Sequence, residues 1–287
     1  VIIDTFDLPL RYDFEHYELN ETGKYQVFFE ETQGTALFKQ YIWASGNSGF
    51  ALTGVGRNPQ EYPTVSIENG IDGSRAIKLE TKSTGQFGET VKMPIAAGNL
   101  FLGSFDVNNA VQKPLKATRF GLPFGKKPLQ LKGYYKYTPG TQPFKAKDKN
   151  GNTVTIPGQE DEGDIYAVLY EAAELDGKAL DGNNVLTSEY IVALARVEVE
   201  KKDEFTAFHV DFHYGSRIPI DWPKFIRDQR DPSDDGTAPY LSFSEEKMKN
   251  YEYNLAVVFT SSKYGAYFAG SVGSTLCIDK VEIVCEK

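Results

Sequence analysis

Apolar and polar residues alternate along most of this chain, and helical periodicity is scarce. In segment 75–81, Ala76, Lys78 and Glu80 interleave with Ile77 and Leu79, the period-two pattern of a half-buried strand. The same reading predicts strands over 99–107, 129–137, 165–170, 189–199, 204–214, 251–260 and 275–284. Some of these are apolar on both parities, such as Ala256-Val257-Val258-Phe259, as expected of strands covered on both faces. Helical candidates are short, at 222–227 and 244–249. At the start, Phe6, Leu8, Leu10, Tyr12 and Phe14 alternate around Pro9, which fits an edge strand because proline cannot donate to a central ladder.

Turn signals separate the strands: Pro139-Gly140, Pro157-Gly158, Asp176-Gly177, and the clusters at 70–73, 149–152, 181–184 and 234–236. Many short strands without intervening helices favour an all-β design. The expectation is a two-sheet antiparallel β-sandwich of the jelly-roll type in one domain, with 138–163 and 228–238 as long surface loops. No repeat or linker-like stretch divides the chain.

Composition adds three constraints. Tyr 17 and Phe 19, against two Trp, suit pleated surfaces. A net charge of −9 without a dense basic block argues against nucleic acid, whose phosphates demand clustered positive charge. No apolar run approaches the roughly 18 residues that span a bilayer. The chain begins at Val1 with neither Met nor a signal-like segment, so the expectation is a targeting peptide or an upstream domain ahead of it. Cys277 and Cys285, on one extended strand, would stand roughly 26 Å apart, too far to bridge.

Chemistry-bearing constellations are few. His209, Asp211 and His213 share one strand face, but the two imidazoles stand about 13 Å apart, and zinc wants three protein ligands; a solvated polar face is the plainer reading. Asp231, Ser233 and Asp235 with Gly236 match half of a calcium loop, but Ser242 stands where the bidentate glutamate belongs. Asp279 has the parity of Cys277, Val281, Ile283 and Cys285, and a carboxylate on an apolar face needs a partner. Structural calcium held by Asp279 with Asp13 or Glu15 is one expectation; an Asp bonded to a turn is the other. There is no nucleophile elbow, zinc helix or P-loop. A glycosidase needs only two placed carboxylates, which 40 acidic residues neither exclude nor nominate.

Aromatic residues near amides are the remaining signal. A sugar packs its C–H face on a ring while its hydroxyls seek placed polar groups. Trp43 with Asn47, the Tyr134-Tyr135 pair after Gly133, and Tyr264 with Tyr267 are the candidates, each with core packing as its alternative.

The C-terminal run Ser261-Ser262-Lys263-Tyr264-Gly265-Ala266-Tyr267, followed by Gly273-Ser274-Thr275-Leu276 and the Asp279-bearing last strand, resembles the closing signature of the putative carbohydrate metabolism domain, PCMD. Blocks upstream are similar too: Trp43-Ala44-Ser45-Gly46-Asn47-Ser48-Gly49-Phe50, segment 97–105, Gly133-Tyr134-Tyr135-Lys136-Tyr137 and segment 164–171. The resemblance runs from about Trp43 to Val284, is weaker over 1–40, and departs at Cys277. It implies a jelly roll similar to carbohydrate-binding modules, on surface or periplasmic lipoproteins of glycan-degrading bacteria. It carries over no catalytic residues. The leading expectation is therefore non-catalytic binding of a polysaccharide or oligosaccharide by a secreted protein. A structural component of an outer-membrane glycan-uptake complex, and a glycoside hydrolase or lyase with an unrecognised carboxylate pair, are the alternatives.

Overall fold

The computed structural model describes residues 7–32, 38–175, 179–232 and 236–287. The turn at Asp176-Gly177 and the middle of the half calcium loop, Ser233–Asp235 by sequence, lie outside them. Each strand expected between 75 and 284 forms; of the opening segment, whose Phe6 lies outside the described residues, Arg11–Tyr12 is a strand, and these strands assemble into two antiparallel sheets. Sheet I runs Lys202–Asp211, Pro128–Thr138, Thr275–Cys285, Ala76–Glu80, Thr64–Ile67, with Arg11–Tyr12 also pairing on Thr275–Cys285. Sheet II runs Thr118–Phe120, Asn99–Phe105, Tyr253–Thr260, Asp164–Glu171, Ile191–Val197, His213–Tyr214. Trp43–Ala44 adds to Asn99–Phe105, and Leu122–Pro123 to Tyr253–Thr260. The chain passes repeatedly from one sheet to the other, which makes this a β-sandwich of the jelly-roll type.

Two apolar layers explain why central strands lack a polar face. Ile165, Ala167, Leu169, Leu255, Val257 and Phe259 meet Ile77, Leu79, Leu131, Leu276 and Ile278 of sheet I in the main core. On the other side of the same strands Tyr166, Val168, Tyr170, Ala256 and Val258 lie under Leu180, Val185, Leu186 and Tyr240, contributed by long connections. The central strands of sheet II are thus buried on both faces, while sheet I is half solvated: His209 and Asp211 are exposed on its edge strand, and His213 is exposed on the short edge strand of sheet II. Asp211 accepts from Gln130 Nε2 at 2.7 Å and His213 Nε2 meets Ser216 Oγ at 2.9 Å.

Local chemistry sets the short helices. Glu245–Lys249 forms after Ser244, whose hydroxyl accepts from Lys247 N, and Lys224–Arg227 starts after Pro223. Asn47–Ala51 and Gly85–Thr90 are helices that the pattern did not predict, being too short for a periodic signal. Segment 138–163, expected as a loop, holds the hairpin Lys145–Lys147/Thr153–Thr155; Asp148 Oδ1 accepts from the amides of Asn150 and Asn152 across its turn.

A bulge reverses parity in the last strand. Leu276 and Ile278 face the core, and so do Val281 and Ile283. Between them Lys280 takes φ 47°, and the pairing with Pro128–Thr138 slips between Lys132 and Tyr134. One extra residue moves every preceding side chain to the other face. Asp279 therefore does not share the apolar face of Val281 and Ile283 as its spacing suggested. Cys277 and Cys285, both free, lie on opposite sides of the sheet.

Candidate functional site

Trp43, the leading aromatic candidate, is a core residue. It is 4% exposed, ringed by Tyr12, Phe14 and Phe259 with centroids 5.0–6.0 Å away, and donates Nε1–H to Glu30 Oε1 at 2.8 Å. Its indole face has no solvent side to offer a sugar. Burial pushes the Glu30 carboxyl up to about 7, against the opposing Trp43 bond. Asn47 is fully buried; its amide accepts from Thr64 N at 3.1 Å and donates to Thr64 O at 2.8 Å, imitating a strand neighbour for Thr64–Ile67. Tyr135 is buried on the core side of its strand, its hydroxyl accepting from Glu200 N. Tyr134 points to the half-solvated outer face of sheet I. None of these four meets the others at a groove.

The expected calcium set does not assemble. The first and last strands are neighbours, Arg11 opposite Glu282 and Tyr12 opposite Val281, yet the carboxylates are engaged elsewhere. Asp279 Oδ2 accepts from Ile71 N at 2.7 Å and Ser74 Oγ at 2.9 Å, and Oδ1 from Lys280 N at 2.7 Å. Burial, the largest influence, still raises the Asp279 pKa. A Cβ on Gly70 would fall 2.6 Å from Asp279 Oδ2, so this turn needs glycine there. Glu15 Oε1 accepts from Arg75 N, which leaves Asp13 alone of the three. Among the described residues no group of three or more His, Cys, Asp or Glu is placed to hold a metal.

The serine pair of the C-terminal signature has a clear structural role. Asp161, 3% exposed, accepts at one oxygen from Ser262 Oγ at 2.6 Å, Ser271 N at 2.8 Å and Ser274 Oγ at 2.7 Å. Its other oxygen accepts from Glu162 N at 3.0 Å. Thr81 Oγ1 bonds both Ser261 Oγ and Ser262 Oγ, at 2.7 and 2.6 Å, and Gly98 N donates to Ser261 Oγ. Four connections at one end of the sandwich are thereby tied to one carboxylate. A Cβ on Gly270 would reach 2.5 Å from Ser262 Oγ. Burial outweighs these donors and lifts Asp161 to about 6. Sequence reading passed over Asp161, since Glu160-Asp161-Glu162 looks like a solvated acidic run.

That hub supports a cleft of about 200 Å³ on the outer face of sheet II. Its floor is Asn99, Phe101, Val258, Thr260 and Tyr166, and its walls come from 46–53, 84–97, 105–118, 182–187, 222–230 and 262–268. On one side Asp164 grips Arg196 with two bonds, Nε to Oδ1 at 2.9 Å and Nη2 to Oδ2 at 2.7 Å, the planar fork that guanidinium and carboxylate make. Arg196 and Asp164 are well shielded, at 17% and 4% side-chain exposure, and against the downward pull of burial the Asp164 carboxylate raises the Arg196 pKa. Trp222 stands nearby under Arg230, whose guanidinium lies 4.3 Å from the ring centroid. Arg230 also donates to Tyr267 Oη at 2.6 Å. Tyr267 lines the cleft, and Tyr264 packs behind it, 6.4 Å from Trp222 and 5.7 Å from Phe225; burial raises Tyr264 to about 12. Of the sequence candidates, Tyr267 is the one that lines this site, with Tyr264 packed against Trp222 and Phe225. Asp164, Arg196, Trp222 and Arg230 were not foreseen. Among the described residues, Asp164 is the sole carboxylate in the lining.

Comparison with known proteins agrees with the motifs. The model of the family described as putative carbohydrate metabolism domain matches residues 13–284. The fold is similar to a solved structure from Bacteroides thetaiotaomicron described as a putative glycoside hydrolase, with 40% identity, TM-score 0.78, and coverage of 98% of this chain and 72% of that one. It is similar to another so described from Bacteroides vulgatus, with 34% identity, TM-score 0.76, and coverage of 98% and 99%. No curated protein matches. No helix among the described residues is long and apolar enough to cross a membrane. With its model matched over nearly the whole length and its signature serines gathered on Asp161, the chain belongs to the putative carbohydrate metabolism domain family.

Proposed function

We propose that the chain binds a carbohydrate, without cleaving it, in the cleft over sheet II. The observation that carries this reading is the pairing of aromatic wall with locked polar groups. Trp222 and Tyr267 supply ring surface, and Arg196, Arg230, Asn183 and Lys263 supply hydrogen-bonding groups. A mostly apolar concavity with few placed polar groups is the usual form of a small-ligand site. At about 200 Å³ it is below the roughly 300–1,000 Å³ of drug-sized pockets, which suits one sugar unit or a chain end.

Hydrolysis is the second reading, because two similar structures are described as glycoside hydrolases. Two carboxylates about 5–10 Å apart are what that chemistry needs. Against it, Asp164 is the one lining carboxylate among the described residues, and Arg196 engages both its oxygens. A glycan array followed by calorimetry decides. Binding in the micromolar to millimolar range, lost in Trp222→Ala and weakened in Asn183→Ala with cooperative melting retained, is the expected result. Release of reducing ends from a polysaccharide panel would replace binding by hydrolysis. We also place the protein at the cell surface or in the periplasm, beside outer-membrane glycan-uptake proteins. Protease shaving of intact cells tests this, and full protection together with a cytoplasmic fractionation pattern refutes it.

A further inference from the structure

We infer that the cleft's ligand is amphipathic, a sugar carrying an apolar substituent such as an acyl, aryl or alkyl group. The inference rests on the carbohydrate reading and deepens it. The cleft is not uniform. The charged groups and Trp222 border the strands Asp164–Glu171 and Ile191–Val197. Beyond the strand Asn99–Phe105, three strand spacings or about 14 Å from Ile191–Val197, the wall changes character. There Phe50, Phe87, Val91, Met93, Phe105 and Val111 line it.

Of the few polar side chains on that side, Thr118 alone keeps a buried hydroxyl without a partner; three others are engaged internally. Thr84 Oγ1 donates to Met93 O, Thr53 Oγ1 donates to Phe50 O and accepts from Val55 N, and Asn99 Oδ1 accepts from Gly46 N. An unsubstituted oligosaccharide extending into this end would bury more hydroxyls than the single Thr118 hydroxyl can partner, and an unmade buried hydrogen bond is costly. An apolar group entering the same space loses nothing and leaves water.

The rim points the same way. Leu52, Val55, Phe87 and Val107 are large apolar side chains left exposed, Phe87 by 39%. The three elements that carry them stand together: a Cβ on Gly85 would meet Val55, and one on Gly49 would meet Phe105 and Ala110. Clustered exposure of this kind, opening into a cavity, marks a contact surface. The cleft thus offers a polar end for a sugar and an apolar end continuous with its rim.

The test uses matched methyl and n-octyl glycosides of glucose, galactose, mannose and N-acetylglucosamine, titrated calorimetrically below the micellar concentration. For at least one sugar the octyl glycoside is expected to bind tenfold or more tightly than the methyl glycoside. The octyl-to-methyl ratio should fall toward one in Phe87→Ser and in Leu52→Ser. It should persist in Leu129→Ser, an exposed leucine on sheet I. Equal binding of methyl and octyl forms overturns this inference and leaves sugar binding standing. Equal binding of all octyl glycosides and n-octanol, without sugar dependence, overturns both, as does no binding of any glycoside. A ratio unchanged in both serine variants removes the apolar wall from the account.

Discussion

Replacing Asp161 by asparagine isolates the balance that holds the signature serines. The carboxylate receives four donors, yet loss of hydration is the larger influence and lifts it from the ordinary 3.8 to about 6. A raised carboxyl pKa means that the folded state binds the proton more tightly than the unfolded state. Its contribution is therefore fullest below the unfolded value and is lost as pH rises through about 6. A shift of about two units corresponds to about 3 kcal/mol. Roughly 2 kcal/mol of that falls between pH 4.5 and 8, because the unfolded carboxyl is already largely ionised at pH 4.5. Asparagine mimics the neutral acid at all pH, so urea unfolding should show Asp161→Asn gaining about 2 kcal/mol relative to wild type between pH 4.5 and 8, with unchanged m-values. Asp161→Ala strips the acceptor from Ser262 O–H, Ser271 N–H, Ser274 O–H and Glu162 N–H; the hydroxyls can turn to other acceptors, and at about 1–3 kcal/mol for each of the two orphaned amides it should cost about 2–6 kcal/mol at pH 4.5. A relative loss by the asparagine variant as pH rises would mean that the donors outweigh burial, and the reasoning would fail.

Other outcomes follow from the same geometry. Trp43→Ala should cost about 3–5 kcal/mol, as for other large aromatic deletions, read as a drop in the urea midpoint; a near-neutral effect would contradict its place in the core. Glu30, also raised, to about 7, should give Glu30→Gln a stability advantage that grows from pH 5 to pH 8; a shrinking advantage would overturn the sign. Asp279→Ala should lower the melting temperature whether calcium or a chelator is present, since Ile71 N, Ser74 Oγ and Lys280 N lose their acceptor. Calcium-dependent melting of the wild type would instead favour the metal.

The alternation of the strands was readable because a sheet's period is two and its two apolar layers are written into residues such as Val257 and Val258. The bulge at Lys280 was not, because a single positive φ leaves no mark on composition, and it moved Asp279 to the face opposite Val281 and Ile283, where it bonds the turn at Ile71 and Ser74. Trp43 and Asn47 resembled a binding loop because a core tryptophan and a bridging amide have the same residue types as a sugar platform. Exposure distinguishes them, and exposure is a tertiary property. Asp161 was hidden in an acidic run for the same reason. The cleft was illegible because its walls come from segments as far apart as Phe50 and Phe268. Tyr267 was anticipated, but only together with tyrosines that point elsewhere.

The account's central claim is that the cleft over sheet II binds sugar without cutting it. Calorimetric titration of the strongest glycan-array ligand against wild type and Trp222→Ala, with reducing ends assayed in the same cell, tests it most directly. The account predicts saturable binding by wild type, loss in the variant, and no new reducing ends. Binding that survives Trp222→Ala undiminished, or reducing ends that accumulate with time, would contradict it.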